Sequence, residues 1–117
     1  VDAGADAIFP EALADESEFE KFRKAVNVPL VANMTEFGKT KLLPARRLSA
    51  LGINIVIYPV TTLRLAMKAI DDGLDALKKK GTQESLLGKM QTRAELYDLL
   101  RYETYTRFDR DIFNFKL

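Results

Sequence analysis

Residues 28–38, with the sequence VPLVANMTEFG, decide the fold of this chain. The apolar run over residues 28–32 is typical of a parallel β-strand that is covered on both faces. The run ends at Asn33, and the polar residues Thr35 and Glu36 follow closely. In barrels and open α/β sheets, chemistry is carried by polar groups just past the carboxyl end of a buried strand. An ordinary polar loop would have the same composition, so the case for a site depends on repetition of the arrangement.

An apolar run followed by polar residues occurs three times in the chain. The other two runs are residues 7–9 and 53–58, and each ends at a proline with polar residues close behind it. The pattern predicts a helix after each strand, over residues 15–26, 44–51 and 63–79. The strand centres are about 25 residues apart. This order indicates right-handed βα units with a parallel sheet.

Capping boxes predict where two helices begin. Ser17 with Glu20 opens the first helix, and Thr92 with Glu95 opens a fourth helix over residues 93–105. The long third helix, capped by a threonine, has an apolar stripe at helical spacing that we expect to be buried. The members of this stripe are Leu63, Ala66, Met67, Ile70, Leu74 and Leu77.

The fold class predicted from this order is α/β. Three parallel strands cannot close and would leave both edges open, which favours the last three βα units of a (β/α)8 TIM barrel over residues 1–81. Residues 82–117 would then be a C-terminal helical extension. A truncated doubly wound sheet is the alternative, although no glycine-rich phosphate loop follows a strand. The chain begins at Val1 in the middle of this pattern, so we expect a fragment of a longer protein.

Composition excludes several classes of function. The 18 basic and 17 acidic residues give a net charge of +1, which offers no electrostatic case for binding nucleic acid or an anionic membrane. No apolar run is long enough to span a bilayer. The chain has no cysteine and no histidine, so it contains neither a thiolate nor the commonest acid/base residue.

The predicted strand tips bring a set of polar side chains to one face. Glu11, residues 33–36 and residues 58–64 would converge there and suit a small polar ligand. Arg64 could clamp a carboxylate with its two parallel N–H groups, or it could simply pair with a neighbouring acid. Arg93 lies at a helix N-terminus, where a cation is mildly disfavoured, and this weakly indicates an anionic partner. The apolar tail over residues 108–117 favours a contact with a partner subunit.

Four stretches resemble the C-terminal part of the 2-methylisocitrate lyase family, within the isocitrate lyase and phosphoenolpyruvate mutase superfamily. They read AGADAIFPEA, VPLVANMTEFGKT, INIVIYPVTTLRLAMKA and KGTQESLLGKMQTRAELYDLLRYETY, and together they run along the whole chain. NMTEFG and QTRAELYD are similar to the lyases. Related decarboxylases, hydrolases and carboxyphosphonoenolpyruvate mutases tend to have Val-Glu-Gly-Gly after Asn-Met.

The resemblance implies an activity and a set of substrate-binding residues. The family cleaves 2-methylisocitrate to pyruvate and succinate in the methylcitrate cycle of propionate breakdown, with Mg2+ stabilising the charge that develops. In this chain, Asn33 and Thr35 would donate hydrogen bonds to a substrate carboxylate. Arg64 and Arg93 would neutralise carboxylates, and Glu11 would order water or the surroundings of the metal. The matching positions are Glu11, Asn33, Met34, Thr35, Arg64 and Arg93.

The departure from the family is what this chain lacks. The metal-binding aspartates and the catalytic cysteine of the family lie in earlier strands. We therefore expect no catalytic residue and no Mg2+ ligand here, and no turnover by the isolated chain. The family also implies a cytoplasmic homotetramer with C-terminal helices exchanged between subunits. The alternatives are another superfamily member, such as an oxaloacetate hydrolase or decarboxylase or a phosphonate mutase, and a non-catalytic oligomerisation fragment.

Overall fold

A computed structural model describes residues 1–113 of the chain. Strands and helices alternate over the first 80 residues, which confirms the predicted α/β class. The elements are α1 (Glu16–Ala25), β1 (Val31–Asn33), α2 (Ala45–Ala50), β2 (Ile55–Ile57), α3 (Thr61–Lys80), a 3-10 helix (Glu84–Lys89), α4 (Arg93–Leu99) and α5 (Tyr102–Phe113).

Strand β1 lies in the middle of a parallel arrangement of three segments. It pairs with β2 in a register that places Val31 opposite Ile55. On its other side, Leu30 forms a parallel bridge with Ile8. The strand predicted over residues 7–9 is therefore reduced to one bridge. Pro10 gives the physical reason, because it has no N–H to continue the ladder.

The core lies on one face of this sheet. Alternate residues of the central segment, Leu30, Ala32 and Met34, point to this face and are buried, as expected from the two-residue period of a strand. Helices α1 and α2 supply the other side of the core. The remaining buried residues are Phe19, Leu43, Leu48, Leu51 and Ile53.

The opposite face of the sheet is only partly covered by the described residues. Ile55 in β2 is 49% exposed, and Val31 is half-buried. The prediction that the strands are covered on both faces is therefore wrong for residues 1–113. An apolar run indicates that both faces avoid water, but it does not say which segment provides the cover.

The apolar stripe of α3 is exposed, against the prediction that it is buried. Leu74 is the most exposed of its large members, at 62%, and Leu63, Met67, Ile70 and Leu77 are exposed as well. The helical periodicity correctly predicts a long helix here, since α3 runs unbroken over Thr61–Lys80. It could not identify the group that packs against the stripe.

The predicted capping box of Ser17 and Glu20 is wrong, because helix α1 begins with a different N-cap residue. Asp15 is the N-cap residue, and its Oδ1 accepts hydrogen bonds from the backbone N–H groups of Ser17 and Glu18. An aspartate two residues earlier provides an acceptor at the geometry the first turn needs, so the helix begins at Glu16.

The chain divides into two compact units, residues 1–70 and the residues from Asp71 onward. In the second unit, the predicted capping box of Thr92 and Glu95 is confirmed. The helix predicted over residues 93–105 is instead broken between α4 and α5, where Arg101 adopts a left-handed backbone conformation with φ of 50°. The predicted apolar tail includes Phe115 and Leu117, which lie outside the described residues.

No helix within residues 1–113 has the length and apolar character needed to cross a membrane.

Candidate functional site

A cavity of about 450 Å³ lies at the carboxyl ends of the Ile8 segment and β1. Three of the six predicted site residues, Glu11, Asn33 and Thr35, line it together. This is the convergence expected where parallel strands end at the same edge of a sheet. The other lining residues are Pro10, Ala12, Leu13, Phe19, Gly38, Lys39 and Thr40.

Asn33 is held in place at the wall of this cavity by its own loop. Its Oδ1 accepts a hydrogen bond from the Thr35 hydroxyl at 2.6 Å. The next backbone N–H, that of Met34, donates to the Ile57 carbonyl at 2.9 Å and anchors the loop to β2. The amide oxygen can only accept, and it accepts from Thr35, whereas the amide nitrogen of Asn33 can donate to a ligand.

The cavity is lined by charges of both signs. Glu11 supplies a carboxylate, and Lys39 supplies an ammonium group that was not among the predicted site residues. Lys39 directly follows Gly38 in the loop after β1. Its position in a loop at a strand end is the sequence feature from which it could have been identified as a site residue. An amide, a hydroxyl, an anion and a cation around one cavity suit a small ligand that has both carboxylate and hydroxyl groups.

Met34 occupies the core rather than the cavity wall. Its side chain is buried against Leu43, whose backbone N–H donates to the Met34 sulfur at 3.4 Å. Successive residues of a strand point to opposite faces, so Met34 points away from its neighbours Asn33 and Thr35. The Met34 side chain therefore belongs to the core, and substrate binding at this position stays a prediction from the resemblance.

Arg64 belongs to a cluster beside the cavity rather than to its lining. Its Nε lies 3.5 Å from the Glu36 Oε2 in an ion pair, which is the pairing with a neighbouring acid foreseen as the alternative. The guanidinium carbon also lies 5.3 Å from the centre of the Phe37 ring. Thr61, the first residue of α3, donates its hydroxyl to the other oxygen of Glu36. We name Glu36, Phe37, Thr61 and Arg64 the arginine cluster.

The pKa of Glu36 is held below its ordinary value, chiefly by the hydrogen bond from the Thr61 hydroxyl. A backbone N–H and the positive charge of Arg64 lower the pKa of Glu36 further, while partial burial opposes them. Glu36 is therefore ionised at neutral pH and provides a steady negative charge beside Arg64.

Arg93 lies in the second unit, as the exposed first residue of α4. Its neighbour Thr92 is the N-cap residue, so Arg93 stands where the helix dipole is unfavourable to a cation.

Metal-ligating side chains are not grouped in the part of the chain that the structure describes. No cluster of three or more Asp, Glu, His or Cys residues that could hold a metal ion occurs within residues 1–113. Glu11 is a single carboxylate at the cavity. This donor set does not by itself fit Mg2+, which needs several oxygen ligands in near-octahedral geometry.

Comparison with known proteins gives a family and a set of close relatives. The family model described as phosphoenolpyruvate phosphomutase matches residues 1–78. The chain is 54% identical to the probable 2-methylisocitrate lyase 2 of Corynebacterium glutamicum, over 97% of this chain and 37% of that protein. It is 50% identical to the 2-methylisocitrate lyase of Bacillus subtilis, over 96% of this chain and 37% of that protein. The chain thus spans less than two fifths of the length of these curated relatives.

Solved structures share the fold. The chain is similar to 2,3-dimethylmalate lyase, a member of the phosphoenolpyruvate mutase/isocitrate lyase superfamily, with a TM-score of 0.79 and 27% identity over 95% of this chain and 39% of that one. An oxaloacetate acetylhydrolase has a TM-score of 0.78 at 23% identity, over 95% of this chain and 39% of that one, and this likeness concerns the fold alone.

The lowered pKa of Glu36 predicts how acid affects stability. The folded chain binds the Glu36 proton more weakly than the unfolded chain does. The stabilisation is therefore fully present above the ordinary glutamate pKa and is lost as the pH falls through the lower folded value. We expect Glu36→Gln to lose less unfolding free energy than the unsubstituted chain between about pH 6 and about pH 3, in urea unfolding experiments.

The control for this prediction is Glu20→Gln, which changes an exposed glutamate of α1. This variant should keep the acid sensitivity of the unsubstituted chain. A Glu36→Gln variant that is just as acid-sensitive would contradict the assignment of Glu36 as an ionised, hydrogen-bonded group.

Proposed function

Because the chain belongs to the phosphoenolpyruvate phosphomutase family, we propose that it is the C-terminal part of a 2-methylisocitrate lyase. The reaction is the cleavage of the carbon–carbon bond of 2-methylisocitrate to give pyruvate and succinate. The observation that carries the proposal is identity of 50–55% to relatives of that name over nearly the whole chain. The cavity lined by Glu11, Asn33 and Thr35 offers polar groups suited to such a substrate.

The proposed architecture of the longer protein is a (β/α)8 barrel. Residues 1–81 would form its last three βα units, and residues 82–117 a helical extension. Support comes from the three parallel segments, whose outer members have no further strand beside them within residues 1–113. A parallel sheet with such apolar strands needs more neighbours, and a barrel provides them without leaving an edge.

The residues of this chain would bind and orient the substrate. The Asn33 amide nitrogen would donate to a substrate carboxylate, and the Thr35 hydroxyl holds that amide in position. Arg64 and Arg93 would neutralise further carboxylates, and Glu11 would order water at the cavity. The acid/base residue and the ligands of the proposed Mg2+ would come from outside this chain, so we expect no turnover by the chain alone.

The proposed protein is a cytoplasmic homotetramer assembled through its C-terminal helices, with those helices exchanged between subunits. Support comes from the second unit, where an apolar groove of about 470 Å³ is lined largely by exposed large side chains, among them Leu99, Tyr105 and Phe108. Such a surface is seldom left in contact with water.

A chimaeric enzyme tests the proposed activity. In it, this chain replaces the aligned region of the probable 2-methylisocitrate lyase 2 of Corynebacterium glutamicum, with which it is 54% identical. We expect the chimaera to release pyruvate from 2-methylisocitrate in the presence of Mg2+. We expect Asn33→Ala to lower its kcat/KM by about tenfold or more, because a substrate carboxylate loses its donor.

The matched control is Asn27→Ala, which removes the same side chain from an exposed position before β1. Its kcat/KM should stay within about twofold of the parent. A folded chimaera without turnover would contradict the proposed activity. Equal losses of kcat/KM in both variants would contradict the assignment of Asn33 to the substrate site.

Sedimentation of the same chimaera tests the proposed assembly. Phe108→Glu places a charge on the exposed apolar surface of α5, and we expect the variant to sediment as a smaller species than its parent. Asp109→Lys alters the charge of the neighbouring exposed residue and should leave the assembly intact. If Phe108→Glu left the sedimentation unchanged, α5 would not be the contact.

A further inference from the structure

The arginine cluster contains a carboxylate with two different surroundings at its two oxygens. The Glu36 Oε1 accepts the hydrogen bond from the Thr61 hydroxyl. The Glu36 Oε2 is buried and has no hydrogen-bond donor within residues 1–113, but it faces the Arg64 Nε at 3.5 Å. Thr61 therefore fixes the carboxylate, and the carboxylate in turn sets the position of the guanidinium.

Arg64 approaches Glu36 by its Nε alone. The ion pair involves the Nε and not the two terminal nitrogens, Nη1 and Nη2, and the Arg64 side chain is 48% exposed. The guanidinium presents N–H groups in a planar fork, and the Nη1–Nη2 edge is one that a carboxylate can bind through two parallel hydrogen bonds. Arg64 therefore keeps an unused receptor edge after its ion pair with Glu36 is made.

A second ion pair in the same unit shows the contrast. Arg47 donates to the Glu16 Oε2 with both its Nε, at 2.8 Å, and its Nη2, at 2.6 Å. That arginine has spent one edge of its guanidinium on two close hydrogen bonds. Arg64 contacts Glu36 at the longer distance of 3.5 Å and through its Nε. Glu36 can therefore position Arg64 while the Nη1–Nη2 edge stays available to a ligand.

Phe37 lies close to the Arg64 guanidinium in this cluster. The Phe37 ring is 92% exposed, and its backbone has a φ of 62° in the left-handed region, which a phenylalanine rarely adopts. The ring lies 5.3 Å from the Arg64 guanidinium carbon, within the range of a cation–π contact. The loop therefore directs an aromatic face to the guanidinium rather than into the core.

We propose that Glu36, fixed by Thr61, is a positioning residue that holds Arg64 by its Nε so that the Nη1–Nη2 edge receives a carboxylate of the substrate. This inference rests on the proposed function for the identity of the substrate, a small molecule with several carboxylates. It assigns to Glu36 and Thr61 a role in the orientation of a binding group, beyond the joining of the β1 loop to α3.

The test is a titration of the 117-residue chain with succinate, followed by NMR at the Arg64 Nε–H resonance. Arg64→Lys identifies that resonance by its loss. We expect succinate to shift it, and we expect Glu36→Gln to weaken the succinate affinity by roughly tenfold, because the guanidinium loses its anchor. Glu16→Gln, which breaks the other ion pair, should leave the affinity unchanged.

Thr61 provides a matched pair that does not alter any charge. Thr61→Val removes the hydroxyl that fixes Glu36 and should weaken succinate binding, whereas Thr61→Ser keeps a hydroxyl and should preserve it. A purely structural role would not separate these variants when the backbone amide spectra show the same fold.

The outcomes separate this inference from the proposed function. A chain whose Arg64 resonance does not respond to succinate overturns the inference. So does a Glu36→Gln variant that binds succinate as well as Glu16→Gln does. The succinate response could depend on Glu36 and Thr61 while the chimaeric enzyme fails to cleave 2-methylisocitrate. That result would support Arg64 as a carboxylate receptor positioned by Glu36 and would contradict the proposed activity.

Discussion

The central position of β1 between two parallel neighbours is the constraint on which the rest of the structure depends. The Val31 N–H donates to the Ile8 carbonyl on one side, and the Met34 N–H donates to the Ile57 carbonyl on the other. These bonds place the carboxyl ends of the segments at the same edge. The loops that follow, with Glu11 after one segment and Asn33 and Thr35 at the end of another, therefore line a common cavity. Glu11 is more than 20 residues from Asn33 along the chain, and the ladder brings the two side chains to the same cavity.

The same strand separates packing from binding by its two-residue period. Leu30, Ala32 and Met34 point into the core formed with α1 and α2, and Asn33 and Thr35 point to the cavity. The loop then continues into the arginine cluster, so one short stretch contributes to the core, to the cavity and to the ion pair with Arg64. The stripe of α3 and the far face of the sheet remain exposed in residues 1–113. This uneven cover is consistent with a chain that spans less than two fifths of its curated relatives.

The sequence was sufficient for elements whose cause is local. The length of α3 followed from helical periodicity, and the start of α4 followed from Thr92 and Glu95. It was insufficient where the outcome depended on a distant group. The reduction of residues 7–9 to one bridge depends on Pro10 beside β1, and the exposure of the α3 stripe depends on what packs against it. In the site, Asn33 and Thr35 were foreseen from the strand end, but the burial of Met34 and the pairing of Thr61 with Glu36 required the fold.

Hydrogen exchange at single backbone amides tests the central role of the parallel ladder most directly. The amides of Val31, Met34 and Ile55 donate across the three segments, to Ile8, Ile57 and Leu30 respectively. If the ladder organises the chain, these three amides exchange among the slowest of all and are exposed together only when the first unit unfolds. Exchange at these positions as fast as at Thr104, an amide at the exposed start of α5, would contradict the central role of the ladder.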